Sequence, residues 1–304
     1  MTALKVIIDF DGTLTAEERQ AGALAERSLS TLAEEIVRAP RDEMARAYRT
    51  TRARLLEAPH RYWWEVNGLI ASYCDEGAFI LNTTTLQVML RENEAYLQAV
   101  TAAFPQAEYD PLVDCINVLF HRHTAELSPV FRPGARKVLT SLIDHPGREP
   151  VVLTNSLGDK VRRHLAALEL EYDVPVLGDT RQYEMDPHWT RLFRDPALGQ
   201  IQVWPVSQIR QIDLRRPAYY RALAQALEED PQIVVVGDTL SLPGGLPLMM
   251  GLRFFLVRTP YTPAWCLEAI DSHPLGRVLD GLGELPEALD ALPGDALSAG
   301  DDTG

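Results

Sequence analysis

A chain of 304 residues with 43 acidic side chains against 29 Lys and Arg carries a formal net charge of −14. That balance excludes nucleic acid and anionic membrane as main partners, and an anionic substrate can approach only where a bound cation or a few basic groups invert the local field. Hydrophobic content of 46% and charged content of 24% are ordinary for a globular chain, and the length suits one domain with a large insertion, or two domains. Cys74, Cys115 and Cys266 lie far apart in apolar surroundings, so buried thiols in a reducing cytoplasm are expected. No charged-then-apolar leader precedes the first apolar run, and no run approaches the ~18 residues of a membrane span, so a soluble protein is expected.

In chain order, Leu4, Val6, Ile7 and Ile8 form a short apolar, β-branched run that predicts a buried strand of a parallel sheet. It ends in Asp9-Phe10-Asp11-Gly12-Thr13-Leu14-Thr15. Two carboxylates one residue apart, followed by a glycine that permits a sharp turn, stand where open α/β sheets bind ligands. Residues 16–128 are rich in Ala, Leu, Glu and Arg, and Leu29, Leu32, Ile36 and Val37 recur at helical spacing, which predicts an all-helical inserted bundle. The Trp63-Trp64 pair reads as core of that bundle in preference to a wall of a substrate pocket. His121 and His123, two apart, point to different faces of a helix and cannot share a metal from one turn, so both read as structural or surface residues.

Pro133-Gly134 opens a predicted helix with Ala135, Val138, Leu139 and Leu142 on one stripe, and the strand predicted over 150–153 ends in Thr154-Asn155-Ser156. A hydroxyl and backbone N–H groups between a strand and a helix can cradle phosphate oxygens, although Ser156 alone would be a plain helix cap. A helix is expected over 160–168. Residues 177–212 read as irregular, with a strand-like run broken by Pro205 as at a sheet edge. Arg215-Arg216-Pro217 precedes a further helix, and the entirely β-branched run 233–236 predicts a buried strand ending in Gly237-Asp238-Thr239. A strand at 254–257 and a last strand-helix step at 278–289 complete the pattern. The small, acidic tail 298–304 reads as disordered.

These strings resemble the motifs of the haloacid dehalogenase (HAD) superfamily. The resemblance is sharp at 9–15, 154–156 and 237–238 only. It implies a doubly wound, Rossmann-like three-layer α/β core formed by 1–15 and 129–304, with residues 16–128 as a helical cap over the site. It also implies the roles. Asp9 is the nucleophile that forms an aspartyl-phosphate, and Asp11 protonates the leaving oxygen and then deprotonates water. Gly12, Thr13, Thr154 and Asn155 hold phosphate oxygens. Asp9, the Asp11 carbonyl and Asp238 bind Mg²⁺.

The sequence departs from the family pattern twice. The usual lysine before the proline is Arg216, which keeps the charge in a bulkier fork, so Arg216 is a candidate phosphate and catalytic contact with Lys160 or Arg215 as substitutes. The usual second acid after Asp238 is missing, with Pro243 at its place and no Asp or Glu before Glu268. The expected function is a Mg²⁺-dependent phosphohydrolase acting on a small phosphorylated metabolite. The alternative is a catalytically weak or inactive binding protein on the same fold, and dehalogenation is a distant third because family members that dehalogenate lack the second aspartate.

Overall fold

The N-terminal apolar run forms β1 (Leu4–Ile8) at the centre of the molecule in a computed structural model that describes residues 3–192, 200, 202–229 and 232–292. The tail 298–304, expected to be disordered, lies outside the described residues. A long insertion follows β1: α1 (Ala21–Thr31), α2 (Arg41–Glu57), β2 (Trp63–Val66), β3 (Leu69–Tyr73), α3 (Ala78–Glu92), α4 (Glu94–Ala103) and α5 (Pro111–Ala125). The chain then alternates through α6 (Ala135–Ile143), β4 (Arg148–Leu153), α7 (Gly158–Ala166) and the short β5 (Val176–Leu177). A small hairpin of β6 (Val203–Pro205) and β7 (Gln211–Asp213) precedes α8 (Pro217–Glu229) and β8 (Ile233–Gly237). The chain ends in α9 (Gly245–Met249), β9 (Arg253–Val257), α10 (Ala264–Asp271), β10 (Gly276–Leu279) and α11 (Leu285–Asp290).

Six strands make one sheet in the order β10-β9-β8-β1-β4-β5, with every neighbouring pair parallel. From β1 the chain winds outwards through β4 and β5, then returns to the other flank of β1 and winds through β8, β9 and β10. The direction reverses at β1. The C-terminal end of such a strand opens into a crevice between diverging loops, which is where open α/β sheets place their ligands.

Continuous apolar strands arise here because both faces are covered. Val6, Ile8, Val234 and Val236 pack with Val138 and Leu142 of α6, Val161 of α7 and Leu285 of α11. The alternate positions, Ile7, Val235, Phe254 and Leu256, pack on the opposite face with Tyr219 and Leu223 of α8, Leu246 of α9 and Ile270 of α10. Each fully buried aliphatic side chain contributes roughly 1.5–3 kcal/mol over its exposed state, so a one-residue slip of β1 would exchange two complete helical layers. The three-layer, doubly wound core expected from the sequence is therefore what the chain forms.

The insertion is mostly helical, with Leu32, Met44, Leu90, Val100 and Ile116 in its own core. It departs from the all-helical expectation at β2 and β3, which pair antiparallel through Asn67 and Gly68, both at positive φ. That is a two-residue turn whose twist matches a hairpin. The irregular stretch 177–212 ties this hairpin to the core. Arg210 makes a two-pronged ion pair with Asp75 (3.0 and 2.7 Å), its guanidinium lies 4.6 Å from the ring centre of Tyr73, and the Gln211 N–H donates to the Tyr73 hydroxyl at 3.2 Å. Cys74, Cys115 and Cys266 are buried free thiols, and burial pushes those of Cys74 and Cys115 up to about 12. Among the described residues no helix is long and apolar enough to cross a membrane.

Candidate active site

Strand register assembles the site. Ile8 pairs with Val236 on one side and Val152 on the other, so Asp9, Asp238 and Thr154 all emerge within two residues of the same sheet edge. The Asp9 N–H continues the ladder by donating to the Val236 carbonyl at 2.9 Å, which fixes its backbone. Gly12 turns the chain at φ +84°, and a methyl group there would stand 2.1 Å from Oδ2 of Asp238. Only glycine permits both that backbone and that approach. Thr13 then donates through its hydroxyl to Oδ1 of Asp238 at 3.3 Å.

Asp9, Asp11 and Asp238, with Thr154 and Asn155, line a cavity of about 100 Å³ between the sheet edge and the insertion. Its electrostatics are dominated by acids. Burial, then the charges of Asp11 and Glu17, hold the Asp9 carboxyl well above the usual carboxylate range. Burial and then Asp9 push Asp238 the same way, with Arg132 opposing. Glu17, which the sequence reading did not single out, is buried and lines the same cavity, and burial, then Asp238, raise it too. Its Oε1 accepts from the Phe79 N–H at 3.1 Å, at the start of α3, which satisfies a free amide there and ties the segment just after the first motif to α3.

Buried carboxylates that repel one another would gain from a bound cation, and the donors here are hard oxygens of the kind Mg²⁺ takes. Asp9, Asp238 and the Asp11 carbonyl fit that role in residue type and position. Among the described residues no three His, Cys, Asp or Glu side chains stand close enough to hold a metal by themselves. Waters and a substrate oxygen would have to complete the ligand set.

The second aspartate has its own environment. Ser156 Oγ donates to Asp11 Oδ2, and Lys160 Nζ lies 3.3 Å from both Asp11 oxygens and 2.8 Å from Ser156 Oγ. Lys160 is buried under Phe10 and Phe120, with its ammonium 5.9 and 5.8 Å from their ring centres. Ser156 is not the side-chain cap of α7, whose cap position is Leu157. Thr154 Oγ1 accepts from the Ser156 N–H at 3.2 Å, and Asn155 Oδ1 accepts from the Gln182 N–H at 2.6 Å.

The two arginines before Pro217 are engaged elsewhere. Arg215 pairs with Asp213 through Nε (2.9 Å) and Nη2 (2.5 Å). Arg216 is 1% exposed and donates to the carbonyls of Gln182 (3.0 Å) and Ala71 (2.5 Å), and burial lowers it to about 10. It does not line the cavity. The structure therefore departs from the expectation for Arg216: a guanidinium enclosed by two backbone carbonyls is committed before any phosphate arrives, and Lys160 is the cation beside the aspartates. Pro243 likewise has a packing role, since a methyl group on Gly237 would come within 2.5 Å of its ring.

The opposite wall is built by the insertion. Trp64, Phe79, Asn117, Phe120 and His121 line the cavity, joined by Tyr183 from the stretch after β5. Trp64 is thus both core and wall, its ring tilted 38° to that of Tyr183 with 5.3 Å between ring centres. The two histidines part company: Nε2 of His123 is hydrogen-bonded to the Thr31 hydroxyl at 2.9 Å, whereas His121 faces the cavity. Burial lowers His121, so its imidazole resists charging.

Comparison with solved structures finds similar chains at low sequence identity. The chain is similar to the HAD-hydrolase YfnB from Bacillus subtilis bound to magnesium (15% identity, TM-score 0.48, 95% of this chain and 100% of that one). It is also similar to CbbY from Rhodobacter sphaeroides in complex with phosphate (16%, 0.43, 93% and 96%) and to L-2-haloacid dehalogenase from Xanthobacter autotrophicus with chloropropionic acid covalently bound (14%, 0.42, 96% and 100%). The similar structures are consistently HAD-family hydrolases. They include dehalogenases as well as proteins bound to magnesium or phosphate. No family model and no curated protein matches the sequence.

Proposed function

We propose that the protein is a Mg²⁺-dependent phosphohydrolase of the HAD type, acting on a small phosphorylated metabolite in the cytoplasm, with 16–128 as the cap and 1–15 plus 129–304 as the core. The observation that carries this reading is Asp11, a second carboxyl beside Asp9, held by Ser156 and Lys160 and lining the same cavity. A halide leaves as a stable anion and needs no proton, whereas an alkoxide does, so a second acid has work only in phosphoryl transfer.

In the proposed cycle Asp9 attacks phosphorus, the ester P–O bond breaks, and Asp11 delivers its proton to the departing oxygen. Asp11, now a carboxylate beside the Lys160 ammonium, takes a proton from water as that water attacks the aspartyl-phosphate. The bond from phosphorus to Asp9 breaks and phosphate leaves. Mg²⁺, when bound by Asp9, Asp238 and the Asp11 carbonyl, would neutralise the phosphate and the facing carboxylates. Thr154 and Asn155 border the phosphate position. A cytoplasmic location fits three buried free thiols.

The alternative, an inactive binding protein, draws support from the commitment of Arg216 to backbone carbonyls. The two readings part on one experiment. Purified protein with Mg²⁺ should hydrolyse 4-nitrophenyl phosphate and should lose that activity in Asp9→Asn; no turnover in the wild type, or turnover that Asp9→Asn retains, rejects the phosphohydrolase.

A further inference from the structure

The wall supplied by the insertion has a chemistry of its own, distinct from the acids opposite. Trp64, Phe79 and Phe120, with Tyr183 beside them, give it aromatic faces, and Thr83, Asn117 and His121 are its neutral polar groups. Among the described residues no Lys or Arg lines the cavity. Trp64 is 7% exposed, and its Nε1 has no hydrogen-bond partner among the described residues; Nδ1 of His121 is in the same condition. A buried polar atom without a partner costs about 1–3 kcal/mol, so two of them on one wall of a cavity mark places where a ligand gains by supplying partners. Asn117 and His121 lie four residues apart on α5, one turn of one helical face, and α5 begins with a side-chain cap from Asp110 that fixes its first turn.

Resting on the phosphohydrolase reading, we propose that this wall receives the leaving group, and that the substrate is the phosphate monoester of an uncharged, largely apolar or aromatic alcohol carrying a hydrogen-bonding edge. An aromatic slot gains by removing apolar surface from water, and its neutral polar atoms orient a neutral edge. A carboxylate or second phosphate in the same place would be desolvated without a counter-cation while facing Glu17, Asp9 and Asp238. The lone ammonium nearby, Lys160, is already shared between Asp11 and Ser156.

Benzyl phosphate and phosphoglycolate test this, because both are monoesters of primary alcohols and differ chiefly in a ring against a carboxylate. Wild-type protein with Mg²⁺ should show kcat/KM at least about tenfold higher for benzyl phosphate. In Asn117→Lys, which places a cation on this wall, the ratio should narrow or invert through improved KM for phosphoglycolate. Equal or better turnover of phosphoglycolate by the wild type overturns the inference and leaves the hydrolase reading standing. If neither ester is hydrolysed, the hydrolase reading fails on its own, and calorimetric binding of the phosphonates decides the wall's chemistry. Benzylphosphonate bound at least about tenfold tighter than phosphonoacetate supports it; equal or weaker binding rejects it.

Discussion

On the sheet side of the cavity, the carboxyls of Asp9, Asp11, Glu17 and Asp238 crowd together, and burial plus mutual repulsion raise Asp9, Glu17 and Asp238. On the side of the insertion, aromatic rings and neutral polar groups face them. The first wall is held by strand register and by a glycine that no other residue can replace. The second is held by side-chain packing between helices, a hairpin and a loop. Chemistry placed by backbone geometry has little freedom to vary, whereas a wall made of side chains can be repacked to suit another leaving group.

The comparison is broken most completely from the sheet side. Asp9→Asn should lower kcat by roughly 10⁴–10⁶-fold, since an amide cannot be the nucleophile, while the melting temperature stays equal or rises because one buried charge is gone. Asp11→Asn should cost about 10²–10⁴-fold with an alkyl ester and less with 4-nitrophenyl phosphate, whose leaving group needs no proton although the water step common to both esters still does; unchanged turnover of both esters would remove Asp11 from proton transfer. Gly12→Ala forces a non-glycine residue to a left-handed φ, at about 1–2 kcal/mol, and drives its methyl into Asp238. Thermal melting should show both the loss of stability and the disappearance of any Mg²⁺-dependent shift.

Arg216→Met sharpens the contrast by separating architecture from chemistry. It leaves the carbonyls of Ala71 and Gln182 without their donor, so stability should fall by about 1–3 kcal/mol, while kcat of the folded fraction stays within a few-fold. A kcat loss comparable to that of Asp9→Asn would return Arg216 to the catalytic set. The smallest effect is on pH. Asp9 and Asp238 have folded-state values raised above their unfolded ones, so within that window the folded protein holds protons that the unfolded chain has released. Without divalent cation, their contribution to stability is therefore fully present below the ordinary carboxylate range and is lost as pH rises through their raised values. Melting curves should show this downward slope, reduced in Asp238→Asn and flattened by Mg²⁺; an unchanged slope in the variant would mean that the acids do not repel.

Much of the sheet side was legible in the sequence because its signals are local. An all-β-branched strand followed by a fixed string places Asp9, Asp11 and Asp238 by chain position alone. The insertion was less legible. Asn67-Gly68 between Trp63–Val66 and Leu69–Tyr73 is a strong hairpin signal, but helical composition on both sides masked it. That Lys160 meets Asp11 while Arg216 turns to Ala71 follows from how α7 and α8 pack, and nothing in either motif encodes it. Glu17 carries no local mark of its place, and His121 and His123 differ only in which neighbours their helix face meets. The stretch 177–212 looked irregular because its partner, the hairpin, is more than a hundred residues away.

Glu76 closes the loop just after that hairpin, and it is wholly buried. Its carboxyl accepts from the Tyr73 N–H at 3.0 Å, from the Ser241 N–H at 2.7 Å and from the Ser241 hydroxyl at 2.5 Å, which joins the insertion to the loop that follows Asp238. Pulling that corner apart would strand a carboxyl and an amide without partners, far costlier than sliding aromatic rings past one another. Arg210 on Asp75 and Arg216 on the Ala71 carbonyl fasten the same hairpin from the core side, so the aromatic wall is held to the catalytic edge at several buried polar contacts and its spacing from the acids is set by them.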